Sequence, residues 1–321
     1  MIDLKHFGWN GETAPEDVAR VVAVHRGQYH LMTNLGEMRA TLKAGSYNAD
    51  KGDALYPTVG DWVRVVLDAY GTCQVTETLP RSSAFLRSDG WSSRGVQAVA
   101  ANFEHVLITS SLNQDLNMSR LERYLAVARQ SGGAPMIVLN KADLTEDREM
   151  RREMVREKVG NIPVVAVSAK TGEGLQELRE ALKPGQTVVF LGSSGVGKSS
   201  LINGLAGETL MTVNDIREDD DKGRHTTTHR QLFRLDSGLL VIDTPGMREL
   251  GLWDAVEGVR ETFADVEGLV GACRFADCTH EREPGCAVRA ALESGALTLK
   301  RWEQYLRLQK EARNAERRSR M

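Results

Sequence analysis

Between residues 18 and 78, apolar and polar positions alternate in short runs that glycines break at close spacing. Val18–His25, Tyr29–Thr33, Glu37–Leu42, Trp62–Leu67 and Thr72–Thr78 each carry the two-residue period of a strand. Gly27, Gly36, Gly45, Gly60 and Gly71 punctuate them. This many short strands in about sixty residues predicts a small closed barrel of the oligonucleotide-binding (OB) type. Such a barrel either offers a face to RNA or serves as packing alone. From residue 104 the period changes. Apolar runs at 104–109, 136–139, 164–167 and 187–191 alternate with helical spacing at 119–130, 146–159, 174–182 and 198–206. Strand and helix repeating with short turns predict a parallel, doubly wound α/β sheet, with its ligand beyond the carboxyl ends of the strands. Two further strands, 231–235 and 239–242, follow. Helical spacing returns over 287–313, where Leu292, Trp302, Tyr305 and Leu308 share a partly apolar face.

Composition changes this picture little. A chain of 321 residues implies two or three domains, and a formal charge of −3 gives no global nucleic-acid signature. Locally, residues 300–321 hold eight Lys/Arg against three Glu, so the C-terminus is either a solvated helix end or a phosphate contact. The stretch Arg81–Gly95 interleaves Arg81, Arg87 and Arg94 with Phe85 and Trp91. It reads as a linker, either solvated or able to meet phosphates and bases. No apolar run reaches the ~18 residues of a membrane span, and the first residues lack a signal-peptide core. A cytoplasmic location and no membrane partner are expected.

Four segments carry chemistry. Gly192-Ser193-Ser194-Gly195-Val196-Gly197-Lys198-Ser199-Ser200 fits the phosphate-binding pattern G-x-x-x-x-G-K-[ST], between an apolar strand and a helix. Its glycines let backbone N–H groups close on one anion at the positive end of a helix dipole. Lys198 is placed to reach β- and γ-phosphates, and the Ser199 hydroxyl to ligate Mg²⁺. Asn140-Lys141-Ala142-Asp143, Ser168-Ala169-Lys170 and Asp243-Thr244-Pro245-Gly246 each follow a predicted strand. A separate cluster, Cys273-x4-Cys278-x-His280-x5-Cys286, supplies three thiolates and an imidazole, the donor set of one closed structural Zn²⁺ site. The remaining Cys73, alone in the barrel, reads as a small core residue.

Together, N-K-x-D, S-A-K, the phosphate loop and D-T-P-G resemble the signature set of GTPases. The resemblance gives each residue a task. The Asp143 carboxylate accepts from both donors on one guanine edge, a bidentate contact carrying roughly 1–3 kcal/mol of discrimination against adenine. Asn140 reads the opposite edge and ties neighbouring loops. The stems of Lys141 and Lys170 cover the base, and the backbone N–H near Ala169 meets guanine O6. Asp243 holds Mg²⁺ through water, and the Gly246 N–H meets the γ-phosphate. In typical GTPases the phosphate loop comes first. Here NKAD and SAK precede it, which is a circular permutation made tolerable because domain termini often lie close together.

A permuted GTPase behind an OB barrel is similar to the RsgA (YjeQ) family of ribosome-small-subunit-dependent GTPases. The strings Pro57–Trp62 and Gly223–Thr228 and the C-terminal cysteines point the same way. The resemblance implies three domains: an OB barrel with linker over 1–95, a permuted GTPase over 96–250, and a zinc-binding helical domain over 251–321. It implies hydrolysis of GTP with Mg²⁺, one structural Zn²⁺, and docking on the 30S subunit with its 16S rRNA during late maturation. A monomer is expected. Residues 207–230 become switch I, with Thr227 favoured among Thr226, Thr227 and Thr228 as the Mg²⁺ ligand. The position after D-x-x-G is Met247, which cannot orient water as the glutamine of many GTPases does. The resemblance therefore implies a slow intrinsic rate, stimulation by the subunit, and His225 as the water-positioning group. The segment after D-T-P-G, switch II, runs directly into the C-terminal domain.

Overall fold

The computed structural model describes the chain except for residues 26, 48–55, 69–70, 89–95, 114–115, 212–229, 244–255 and 320–321. The chain packs as two compact units, Met1–Met118 with Ser131–Leu250, and Ser119–Gln130 with Gly251–Met321.

In the first unit, β1 (Val18–His25), β2 (Gln28–Thr33), β3 (Gly36–Leu42), β4 (Trp62–Leu67) and β5 (Cys73–Thr78) form the expected barrel. They run in the order β1-β2-β3-β5-β4, and β4 returns to β1 at Val18↔Arg64. The β3–β5 pair is parallel. Alternate residues point inward, so Ala19, Val21, Leu31, Val63, Cys73 and Val75 fill the interior. The N-terminal residues, polar in sequence, are not passive. A 3₁₀ turn at Leu4–Phe7 buries Leu4 against Val18, Met32 and Trp62 outside the barrel, and Trp9 meets Trp62 edge-on at 4.9 Å.

Within the stretch read as a linker, Ala84–Ser88 form a strand, β6, which pairs antiparallel with β7 (Val96–Ala101) just beyond it. Phe85 is 2% exposed and stacks on Phe103 at 4.8 Å, so it is core and not a platform for bases. Arg81 donates to both carboxylate oxygens of the fully buried Asp61 (2.8 and 2.7 Å) and to the Tyr56 carbonyl. It too is structural. Trp91 and Arg94 lie outside the described residues.

The second half of this unit is the expected α/β sheet. Strands β8 (His105–Ser111), β9 (Ala134–Asn140), β10 (Val164–Ala166), β11 (Thr187–Leu191) and β13 (Leu240–Asp243) are parallel, in the order β10-β9-β8-β11-β13. Every residue of β11 is buried, as a central parallel strand covered on both faces requires. It is the fourth of these strands in the chain yet lies between the first, β8, and the last, β13. Antiparallel β12 (Gln231–Arg234) borders β13, and β1 of the barrel joins it through Ala23↔Gln231. Helices α2 (Arg148–Val159), α3 (Leu175–Glu180) and α4 (Lys198–Ala206) complete the unit; α3 is shorter than its sequence pattern, starting after a left-handed Gly174.

Barrel and sheet are also joined by a buried cation. Arg20 is 1% exposed, and its guanidinium donates to the Phe7 carbonyl, the Asn102 carbonyl (2.6 Å) and Thr187 Oγ1 (3.0 Å). Burial pushes its pKa down to about 10 against the pull of Glu104 and Asp61, so it stays charged at neutral pH. Thr187 opens β11, and its N–H donates to the Glu104 carboxylate at 2.6 Å. The root of the phosphate-loop strand is thus fixed from the barrel.

The second unit comprises α5 (Val256–Thr262), α6 (Ala264–Gly271), α7 (Ala287–Ser294) and α8 (Leu299–Ser319). It also takes Ser119–Gln130, nearly all of α1 (Met118–Gln130), which the sequence pattern groups with the α/β sheet.

Candidate nucleotide site and metal centre

The phosphate loop leaves β11 and enters α4 with Gly195 and Gly197 in left-handed backbone (φ 73° and 92°). Gly197 is required twice over, because a Cβ there would collide with Asn140 Nδ2. A Cβ on Gly192 would collide with the Thr109 carbonyl of β8. Val196 is buried and roots the loop, while Ser194 and Gly195 stay exposed for a ligand. Lys198 folds over the loop, its Nζ donating to the carbonyls of Gly192 (2.8 Å) and Ser193 (2.7 Å). Ser199 and Ser200 are half-buried on the first turn of α4.

Asn140 ends β9 and ties three motifs together. Its Nδ2 donates to the Val196 carbonyl at 2.8 Å, and its Oδ1 accepts from the Ala169 N–H at 3.0 Å. In this arrangement the Ala169 N–H is bound to Asn140. Lys141 adopts left-handed backbone (φ 64°), turning the chain so that Ala142 N–H reaches the Val167 carbonyl at 3.0 Å. Asp143 is exposed, and one carboxylate oxygen accepts from the buried Ser168 hydroxyl at 2.6 Å. Ser168 Oγ accepts in turn from Thr171 N–H. That bond orients Asp143, a role for Ser168 that spacing alone does not reveal. Lys170 is exposed beside Ala169.

Asp243 ends β13, adjacent to β11. Burial raises its carboxyl pKa and Lys198 opposes that rise. A half-buried carboxylate at this strand end, within electrostatic reach of Lys198, suits Mg²⁺, which favours a few oxygen ligands and retains water. Gly246, His225 and Thr227 lie outside the described residues.

Phosphate loop, base-reading segments and a D-T-P-G strand therefore converge at the carboxyl ends of β8, β9, β11 and β13, in permuted chain order. The profile of the RsgA GTPase family matches residues 78–253. The chain belongs to the RsgA GTPase family. It is 47% identical over 298 residues to a protein of Listeria monocytogenes serotype 4b named small ribosomal subunit biogenesis GTPase RsgA 2, covering 93% of this chain and 84% of that one. A protein of the same name, without the numeral, from Opitutus terrae is 45% identical over 310 residues, 94% of this chain and 84% of its own. Among solved structures, YjeQ from Thermotoga maritima superposes with a TM-score of 0.67 at 27% identity, covering 92% of this chain and 98% of that one. YloQ, titled a circularly permuted GTPase, shares the fold at a TM-score of 0.65 and 23% identity, over 96% and 99% of the two chains.

The donor set that could hold a metal lies in the second unit. Ligand atoms of Cys273, Cys278, His280 and Cys286 all lie within 4.8 Å of one another. Cys273 Sγ is 4.0 Å from Cys286 Sγ, and His280 Nδ1 is 3.5 and 3.6 Å from those two sulfurs. Tetrahedral zinc with Zn–S near 2.3 Å places its sulfurs about 3.8 Å apart, so the donors fit Zn²⁺ with little adjustment. Cys286 Sγ also accepts from Arg289 N–H at the start of α7. Burial and the crowded thiols push Cys278 up to about 11, an arrangement a divalent cation would relieve. His280 presents Nδ1 inward while its ring meets Trp302 of α8 edge-on at 5.4 Å. Glu283 holds the intervening loop, accepting from Thr279 N–H and Oγ1–H on one oxygen and from Glu281 and Arg282 N–H on the other. These donors hold its carboxyl down at about 2. Neither Trp302 nor Glu283 belongs to a recognisable ligand pattern, which is why spacing does not mark them.

Proposed function

We propose that the chain hydrolyses GTP to GDP and phosphate on the small ribosomal subunit and assists its late maturation. The observation that carries this reading is the Asn140 side chain, which holds the phosphate loop and the base-reading loops as one pocket. In that pocket Asp143, oriented by Ser168, accepts from the guanine edge, and Asn140, Lys141, Ala142, Ala169 and Lys170 form its walls. Backbone N–H groups of Gly192–Ser200 surround the phosphates, with Lys198 supplying charge at the β–γ bridge. Ser199, Thr227 and Asp243 are the residues to hold Mg²⁺, which would neutralise charge developing on the phosphate oxygens. Attack of water on the γ-phosphorus breaks its bond to the bridging oxygen, and GDP carries that electron pair away. His225 is the group assigned to orient the water, because Met247 cannot. Zn²⁺ has a structural role in the second unit, since four protein donors leave no open position for chemistry.

The partner is the 30S subunit with its 16S rRNA, and the protein acts as a cytoplasmic monomer with a slow intrinsic rate. The sequence-level domains 1–95, 96–250 and 251–321 supply barrel, catalytic and zinc-binding functions. GTP turnover titrated with purified small subunits tests the reading. Stimulation that His225→Ala abolishes, without loss of GTP binding, is the expected result. No stimulation in the unaltered protein would instead make it a guanine-nucleotide sensor.

A further inference from the structure

Helix α1 stands between β8 and β9 in the chain, yet it groups with the second unit. Five positions along one stripe make that attachment. Ser119 Oγ accepts from Gln304 (2.6 Å), Glu122 from Arg301 (2.5 Å), and Arg123 pairs with Glu311 (2.5 Å). Ala126 approaches α5 so closely that a Cβ on Gly258 would strike its carbonyl, and Gln130 Oε1 accepts from Gly258 N–H (3.3 Å). Spacings of three and four residues put all five on one helix face. Arg301 is the hub. Its guanidinium also donates to both oxygens of Asp265 (3.1 and 2.9 Å) and to the Thr262 carbonyl, and lies 4.0 Å over the Phe263 ring. The Glu122 side chain is only 9% exposed, so its charge depends on that partner.

The chain entering α1 is held at the base-reading loop. Leu112 N–H donates to the Asn140 carbonyl at 2.8 Å, and Arg151 of α2 donates to the carbonyls of Leu112 and Asn113. The strand leaving α1, β9, ends in Asn140 itself. Leu112, six residues before α1, and β9, which follows it, thus both meet at Asn140, with residues 114–115 outside the described residues.

We propose that α1 is a tie between the zinc-bearing unit and the guanine loop, with Arg301 as its positioning residue. This tie rests on the assignment of Asn140–Asp143 to the base, and it is separate from switch II. Displacing the second unit drags α1 and changes how firmly the base is held, whether or not a γ-phosphate is present. Linkage requires the converse: bound GDP must stabilise the attachment of α1 by the same factor.

Hydrogen exchange and GDP release, measured on the full zinc-loaded protein, test this. Arg301→Ala is expected to speed exchange of α1 amides by about tenfold or more, together with α5 and the start of α8, and to leave β8 and β11 unchanged. Fluorescent GDP should leave several-fold faster, with Arg301→Lys partly restoring both values. Gln304→Ala, a milder change, should move both in the same direction should Arg301→Ala fold poorly. Unchanged α1 exchange would overturn the attachment, and faster exchange with unaltered GDP release would overturn the tie. Asp143→Asn separates failure of the base assignment: unchanged guanine preference there refutes the pocket, while the exchange result stands on its own.

Discussion

Arg20 and Arg301 each gather several partners from distant parts of the sequence, but their surroundings differ. Arg20 is sealed, and the acceptors of its hydrogen bonds are two backbone carbonyls and one hydroxyl. Arg301 is about one-fifth exposed, and its principal partners are the carboxylates of Glu122 and Asp265, the latter more than half exposed. Neutral backbone acceptors around a buried cation cannot be exchanged for water without leaving polar groups unpaired, so the seam of the first unit is held in one arrangement. The Asp265 carboxylate loses little when it parts from Arg301, because water takes over its charge, and only the buried Glu122 keeps its need for that partner. The first join suits a fixed foundation for the phosphate-loop strand. The second suits an attachment that has to yield.

The largest test of this contrast is removal of the zinc proposed for the second unit. Structural zinc contributes on the order of 10 kcal/mol to small domains, far more than the ion pairs of the second unit. Chelation, or Cys286→Ala, is expected to abolish the native amide spectrum of the second unit while the barrel and sheet signals persist. Loss of both together would erase the distinction. Next comes Arg20→Met, which strips the Asn102 and Thr187 acceptors of their donor. It should lower the stability of the first unit by roughly 3 kcal/mol in urea unfolding, with no dependence on salt. A change below about 0.5 kcal/mol would mean that the seam is not the foundation claimed.

The smallest effect concerns acid. Burial raises the Asp265 carboxyl, but the hydrogen bond and charge of Arg301 outweigh it and hold the group below its ordinary value. A depressed carboxyl stabilises the fold fully above its unfolded pKa and loses that contribution as pH falls through the folded value. Acidification below about pH 4 should therefore loosen the second unit, and Arg301→Ala should flatten the part of that acid limb due to Asp265. An acid limb unchanged in shape would show that the pair is not formed in solution.

Much of this was legible in the sequence, for identifiable reasons. Alternation exposed the barrel strands because one face is buried and the other is not, and the nucleotide segments were visible because each sits at a strand end. The β6–β7 pair was hidden because Arg81, Ser82, Ser83 and Arg87 give it the composition of a linker, although Phe85 faces the core. Arg20 lies in β1 on the face away from the barrel interior, where a charged residue reads as solvent-facing. The 3₁₀ turn, through the Phe7 carbonyl, and the acceptors of Asn102 and Thr187 reverse the reading. The allegiance of α1 could not be read at all. Its apolar spacing is satisfied equally by a sheet or by other helices, and the deciding partners, Arg301 and Gln304, are about 180 residues away.

The pairing of β1 with β12 has a consequence for the health of the chain in the cell. An α/β sheet ending in an uncovered strand offers a row of free backbone donors and acceptors to any other extended chain. At the opposite border β10 limits that hazard by being only three residues long. At this border the barrel strand occupies the place a stray strand would take. Shortening the protein from its N-terminus to isolate the catalytic part would thus remove a guard against self-association, and poor solubility of such a fragment would say nothing about its catalytic residues.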